Sequence, residues 1–248
     1  MKSVLFLAYV VFLSSCTGVS RPSPEFPATE VGKSVQGQPI YAWVFGPEGA
    51  LDEVETVLFF GVIHGNEPLG LTLLESLRDV LIARPELLAG RRVVIAPLTN
   101  PDGHRRGTRA NSRGVDLNRN FPSASWKPGR RHGKAPASEP ETRAIIDLFE
   151  AYRPSRILSV HAPLYCVNYD GPAEELAERL AAASGYPVKG NIGYPTPGSF
   201  GSWAGIDHGV PTVTLELRGD LRESEVWKEM GSAMIAFIRF ETDDHVAK

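Results

Sequence analysis

Val57-Leu58-Phe59-Phe60-Gly61-Val62-Ile63-His64-Gly65-Asn66-Glu67-Pro68 joins an unbroken apolar run to two ionisable side chains three residues apart. A run without polar alternation reads as a strand covered on both faces, the mark of a central strand in an α/β sheet. We read that strand over Thr56 to Ile63. Pro68 suits the first turn of a helix, and Leu69, Leu73, Leu74, Leu77, Val80 and Leu81 then recur at helical spacing to about Arg84. His64 and Glu67 therefore stand on the corner between a buried strand and a helix, and open α/β sheets gather their ligands at the carboxyl ends of strands.

Outward from this corner, Ile40 to Phe45, Arg92 to Pro97, Arg156 to Val160 and Thr212 to Leu217 read as further strands. Ser138-Glu139-Pro140-Glu141 has the form of a capping box opening a helix that carries Ile145, Ile146, Leu148 and Phe149 and stops before Pro154. A helix from Ala173 to Ala183 ends at Gly185, a left-handed cap, and a last helix runs from about Ser224 to Phe240. Strands alternating with helices imply a three-layer α/β/α sandwich around a mixed, largely parallel sheet. No internal repeat is visible. The 26 basic and 29 acidic side chains give a formal charge of −3, which argues against a strongly basic nucleic-acid binder.

Lys2, ten apolar positions from Val4 to Leu13 and the small residues Ser14 and Ser15 read as a secretory signal over residues 1–15. Ten residues at 1.5 Å rise span about half of a ~30 Å hydrocarbon core, too little for a transmembrane helix. Leu13-Ser14-Ser15-Cys16 resembles a bacterial lipobox, in which Cys16 becomes the lipidated first residue; a plain secretory signal is the alternative. With Cys16 acylated, Cys166 is the one remaining cysteine and no intramolecular disulfide is possible. Thr17 in place of aspartate argues against inner-membrane retention, so the expected location is the periplasmic side of the outer membrane. Residues 16–37, with Pro22, Pro24 and Pro27, read as a tether, and residues 38–248 as a single domain.

Four ionisable residues sit at strand ends: His64, Glu67, His161 and Glu216. Two imidazoles and one carboxylate, with a fourth position left for water, form the ligand set of a catalytic zinc site. Taken alone, His-x-x-Glu is a weak signal that a polar loop explains as well. Glu216 also has a plain alternative, because Thr212, Thr214 and Glu216 share one face and read equally as the wet side of an edge strand.

Between the two histidines lie Asn100-Pro101-Asp102-Gly103, Arg109-Ala110-Asn111 and Gly114-Val115-Asp116-Leu117-Asn118-Arg119-Asn120-Phe121. In this order, with His161 and Glu216 following, the blocks resemble the zinc metallocarboxypeptidase family that includes the pancreatic carboxypeptidases. The resemblance covers about Val57 to Leu217. It implies one catalytic zinc held by His64, Glu67 and His161, Glu216 as general base and acid, Arg109 beside the scissile carbonyl, and Asn118 with Arg119 on the free carboxylate of the substrate. A planar arginine fork suits that carboxylate as lysine would not.

Within the family the chain resembles the bacterial murein peptide amidase A branch, which carries a segment similar to Pro195-Thr196-Pro197-Gly198-Ser199-Phe200-Gly201-Ser202-Trp203. The implied reaction is hydrolysis of the γ-D-glutamyl to meso-diaminopimelate bond in murein peptides. The branch is best known as cytoplasmic, so the export signal is a departure. An ordinary carboxypeptidase, a small-molecule deacylase of the aspartoacylase kind and a non-catalytic wall-binding lipoprotein are the alternatives. Residues 194–203 read as a substrate wall with Trp203 packed inward. Arg218 reads either as a salt-bridge partner or as a substrate contact. Arg105, Arg106, Arg109, Arg113, Arg130, Arg131, His132 and Lys134 give one side of an acidic protein a positive character suited to ligands with several carboxylates. The sequence leaves the oligomeric state open.

Overall fold

Every residue of β3 (Thr56–Gly61) is buried, as its unbroken apolar run requires of a strand with helices on both sides. The computed structural model describes residues 27–51 and 53–241; the expected signal segment, Cys16 and the first part of the tether lie outside the described residues. In chain order the remaining strands are β1 (Thr29–Lys33), β2 (Pro39–Phe45), β4 (Arg92–Ala96), β5 (Arg156–His161), β6 (Leu164–Asp170), β7 (Val188–Lys189) and β8 (Thr212–Arg218). They form one sheet in the order β1-β2-β4-β3-β5-β8-β6-β7. The central four, β4, β3, β5 and β8, are parallel, while β2 pairs antiparallel to β4 and β6 antiparallel to β8.

Side-chain alternation along β3 feeds two cores. Val57 and Phe59 pack with leucines of α1 (Leu69–Ala83) and with Met230, Met234 and Phe237 of α5 (Glu223–Ile238); α4 (Glu174–Ser184) covers the same face. Leu58 and Phe60 point the other way, to Ile145 and Leu148 of α3 (Pro140–Tyr152) and to Phe121, Phe200 and Trp203. The expected three-layer α/β/α sandwich is the observed architecture. Gly185 at φ +74° caps α4 in the left-handed conformation, as expected. No helix among the described residues is long and apolar enough to cross a membrane.

Several expectations are corrected. β1 lies inside the segment read as a tether, so the folded domain begins before residue 38. Thr29-Glu30-Val31-Gly32-Lys33 has one large apolar residue, and its strand is made by pairing with β2 and by Gly32, whose hydrogen faces Ala144 Cβ closely enough that a side chain would clash at 2.7 Å. Val35 and Gln36 are then pinned by their N–H groups to Glu141 Oε1 and Asp102 Oδ2, both at 3.0 Å. The capping box does not form. Glu139 is the N-cap of α3, Ser138 Oγ donates to Glu139 Oε1, and Glu141 is spent on Val35 and Asn111. β8 is flanked by β5 and β6, which removes the edge-strand reading of Glu216. β6, β7, the short helix α2 (Pro101–Arg106) and a π-helical turn at Gly201–Asp207 were not expected.

The crossovers place the site. From β3 the chain passes through α1 to β4 on one side, then returns through α3 to β5 on the other. The carboxyl ends of β3 and β5 thus flank the point where the winding reverses, which is where open α/β sheets form a crevice.

Candidate metal centre and active site

His64 follows the end of β3 by three residues and His161 is the last residue of β5, and each side chain is almost fully buried at that crevice. His64 Nδ1 lies 2.8 Å from Glu67 Oε1, His161 Nδ1 lies 3.0 Å from Glu67 Oε2, and the two Nδ1 atoms are 3.0 Å apart. Two imidazole nitrogens and two carboxylate oxygens therefore converge on one small volume, and among the described residues these three side chains form a cluster able to hold a metal ion. The set fits zinc: nitrogen and oxygen donors, three protein ligands, and a histidine whose remote nitrogen is oriented by a carboxylate, His64 Nε2 being 3.2 Å from Asp116 Oδ1.

Electrostatics agree with the geometry. Burial alone would raise the pKa of Glu67, but hydrogen bonds from His161 and His64 outweigh it and hold the carboxyl at about 2. Burial would likewise raise Asp116, yet His64 and Arg109 keep it well below the usual carboxylate range. Burial disfavours protonation of His64, and its contacts with Asp116 and Glu67 overcome this and raise its pKa.

The polar motifs explain how the corner is held. Asn100 caps α2, its Oδ1 accepting from Gly103 N at 2.9 Å, while its Nδ2 donates to Ile63 O at 3.1 Å. One amide thus fixes a helix start and the turn carrying His64. Thr99 Oγ1 donates to Gly61 O at 2.9 Å. Gly65 faces Gly103 so closely that a Cβ would sit 2.1 Å from the Gly103 carbonyl carbon, which is why this turn and this helix meet through glycine. Asn111 Oδ1 accepts from Arg113 N and Val115 N, and its Nδ2 donates to Glu139 and Glu141. Asn120 Nδ2 donates to His132 O and Ala135 O, and its Oδ1 accepts from Glu139 N. Asp116 accepts from Asn118 N and also from Arg109 Nε at 2.8 Å, so the turn reading of this segment and its functional reading are both satisfied.

All of the expected site residues within the described part reach one cleft. His64, Glu67, His161, Glu216, Arg109, Asn118 and Arg119 line it together. Glu216, 8% exposed, pairs in register with His161 and accepts from Leu164 N at 3.3 Å. Asn118 Oδ1 accepts from Phe200 N at 2.9 Å, which ties the substrate-binding pair to residues 194–203. Arg119 donates to Asn118 O at 2.5 Å and pairs with no carboxylate among the described residues, leaving its cation to face the cleft; burial lowers its pKa.

Tyr194, Thr196, Ser199 and Gly201 line the same cleft, and Trp203 is buried, stacked on Phe121 with ring centroids 5.8 Å apart. The segment lines the cleft and its indole is packed inward, as expected. Arg218 donates to Glu229 and Asp220, the salt-bridge alternative. Two residues were missed. Asp116 stood in a quoted motif without a role, and Asp170, at the end of the unexpected β6, lines the cleft with no hydrogen-bond partner for its carboxylate among the described residues. Burial raises the Asp170 pKa. Gly201 and Gly205 leave room for it, since a Cβ at Gly201 would lie 2.0 Å from Asp170 Oδ2.

Comparison with known proteins agrees with this geometry. The sequence profile of the zinc carboxypeptidase family, peptidase M14, matches residues 19–175. Murein peptide amidase A of Escherichia coli K12 is 34% identical, with 92% of this chain and 98% of that protein covered; the protein of that name from Vibrio campbellii is 32% identical, with 87% and 88% covered. The crystal structure of murein-tripeptide amidase MpaA from Escherichia coli O157 superposes with a TM-score of 0.74 at 30% identity, covering 91% of this chain and 96% of that one. With its ligand cluster at the strand ends and its whole domain matched, this chain belongs to the zinc carboxypeptidase family and is a metallopeptidase.

Proposed function

We propose that the protein is a zinc-dependent amidase that cuts the γ-D-glutamyl to meso-diaminopimelate bond of murein peptides. The observation that carries this reading is the convergence of three metal-ligand side chains, an acid-base carboxylate, an arginine and an Asn-Arg pair in one cleft. When bound, zinc supplies a Lewis acid that polarises the scissile carbonyl and brings the pKa of water towards 7.

The chain's own residues do the rest. Glu216 takes a proton from the attacking water and passes it to the departing amine nitrogen as the C–N bond breaks. Its register with His161 fixes the distance between base and metal ligand through backbone hydrogen bonds. Arg109 donates to the carbonyl oxygen as negative charge grows there, a contribution of about 3 kcal/mol for one such donor. Asp116 restrains Arg109 through Nε, leaving a guanidinium about one-third exposed to meet substrate. Asn118 and Arg119 hold the free carboxylate of the leaving residue. Asp170 offers a carboxylate to the ammonium at the far end of diaminopimelate, and the similarity to murein peptide amidases over nearly the full length of both chains supports that substrate.

An ordinary carboxypeptidase is the second reading, favoured by Asn118 and Arg119, which recognise any free C-terminal carboxylate; Asp170 would then prefer a lysine side chain. Export and anchoring through Cys16 belong to the proposal and rest on residues 1–16 of the sequence. The full chain, loaded with zinc, is incubated with L-Ala-γ-D-Glu-meso-diaminopimelate and with Ala-Ala-Lys, and products are identified by mass spectrometry with a chelator control. Chelator-sensitive release of diaminopimelate alone is expected. Release of lysine alone would move the enzyme to the second reading.

A further inference from the structure

Beside the catalytic cleft lies a groove of about 490 Å³ whose lining includes Arg106, Thr108, Arg109, Ser112, Arg130 and Arg131 and no acidic residue. Arg109, the residue proposed to meet the scissile carbonyl, lines both spaces. Among the described residues the groove's other arginines meet no carboxylate. Arg106 donates only to a backbone carbonyl, Ser112 O, at 3.4 Å, and neither Arg130 nor Arg131 meets a carboxylate among the described residues. Ser112, which lines the groove, keeps its Oγ buried without a hydrogen-bond partner among the described residues. The groove is also anchored to the metal centre, because Asp116, the residue that orients His64, donates its N–H to Arg131 O at 2.9 Å.

Three guanidinium groups with no carboxylate partner among the described residues, gathered on one groove of a protein of net charge −3, form a local anion site rather than a general basic surface. The direction of the substrate says what anion it meets. Asn118 and Arg119, assigned to the leaving residue, line the cleft and not the groove, while Arg109 lines both, so an acyl portion that runs past Arg109 away from that pair would enter the groove. We propose that this groove is an acyl-side subsite for carboxylate, in which Arg130 and Arg131 bind an acidic group carried by the part of the substrate that precedes the cut. The proposal rests on the amidase reading and adds to it a second carboxylate requirement, independent of the one met by Arg119. In the proposed substrate that group is the α-carboxylate of the γ-linked D-glutamate.

The test compares L-Ala-γ-D-Glu-meso-diaminopimelate with its analogue in which the glutamate α-carboxylate is an amide, using the zinc-loaded full chain and the variant R130A/R131A. The wild type should favour the acid by about tenfold in kcat/KM, the scale of one charge-assisted contact. The double variant should treat acid and amide alike within twofold while its rate on the amide stays at the wild-type level. A double variant that keeps the tenfold preference, or a wild type without one, overturns the subsite. Calorimetric binding of the dipeptide L-Ala-γ-D-Glu and of its α-amide separates this failure from failure of the amidase reading, because it needs no turnover. If neither tripeptide is cut, tighter binding of the acid dipeptide that is lost in R130A/R131A still supports the groove, and equal binding in both proteins removes it.

Discussion

The two halves of this molecule are held by different forces. Around β3, β5, α1 and α5 the chain is positioned by apolar burial: Leu58, Phe59, Leu74 and Phe237 are essentially without solvent contact, and periodicity decides what packs where. From Asn100 to Ala137 there are one short α-helix and a single 3-10 turn at Leu117–Arg119, and the chain is positioned by side-chain amides and carboxylates that take the place of regular backbone pairing. The first rests on many apolar contacts, and the second on a few side-chain amides and carboxylates. A burial-held frame spreads its stability over many contacts, whereas a loop held by Asn100, Asn111 and Asn120 concentrates its dependence on three side chains.

The sharpest way to separate the halves is chemistry without structure. Glu216→Gln should lower kcat by about 10²- to 10⁴-fold, the usual weight of a general base, with zinc content and melting temperature unchanged. Metal analysis beside kinetics checks it, and near-normal turnover would remove Glu216 from the role. Leu58→Ala, in the frame, should cost about 2–5 kcal/mol in urea unfolding while leaving zinc stoichiometry intact. Loss of metal at unchanged stability would break the comparison. Asp116→Asn, in the loop half, should weaken zinc about 10- to 100-fold in chelator competition, because His64 loses the carboxylate that orients it.

The smallest effect concerns pH. Glu55 lies between Arg156 and Arg91; burial raises its pKa, but the two guanidinium groups win and lower it. A carboxyl depressed in the folded state adds stability that is present above its unfolded pKa and fades as pH falls through the folded value. Glu55→Gln should therefore cost about 1 kcal/mol at pH 7 and progressively less below about pH 4. Urea titrations at both pH values measure the difference, and a cost that grows on acidification would contradict the sign.

How much of this was legible follows the same division. β3, α1, β5 and α5 announce themselves through apolar period, and the ligand residues through their place at strand ends. The polar loop was readable as a motif, yet its architecture was not, since nothing in Asn111 or Asn120 states which backbone groups each will satisfy. Ser138 and Glu141 misled for that reason: their capping pattern is real in sequence, but Asn111 and Val35 claim Glu141. β1 and β6 have no clean alternation, being strands whose neighbours supply the pairing. Asp170 was hidden with β6. Asp116 was in view and lacked only its distance to His64.

The ladder between β5 and β8 has a consequence for motion. His161 and Glu216 are paired across adjacent strands, not carried on separate loops, so a fluctuation that displaces one drags the other with it. Jitter in the gap between a metal ligand and the proton acceptor is thereby limited to the breathing of one hydrogen-bonded ribbon. Arg109 is tied to the same centre by a different route, through Asp116, whose other oxygen faces His64.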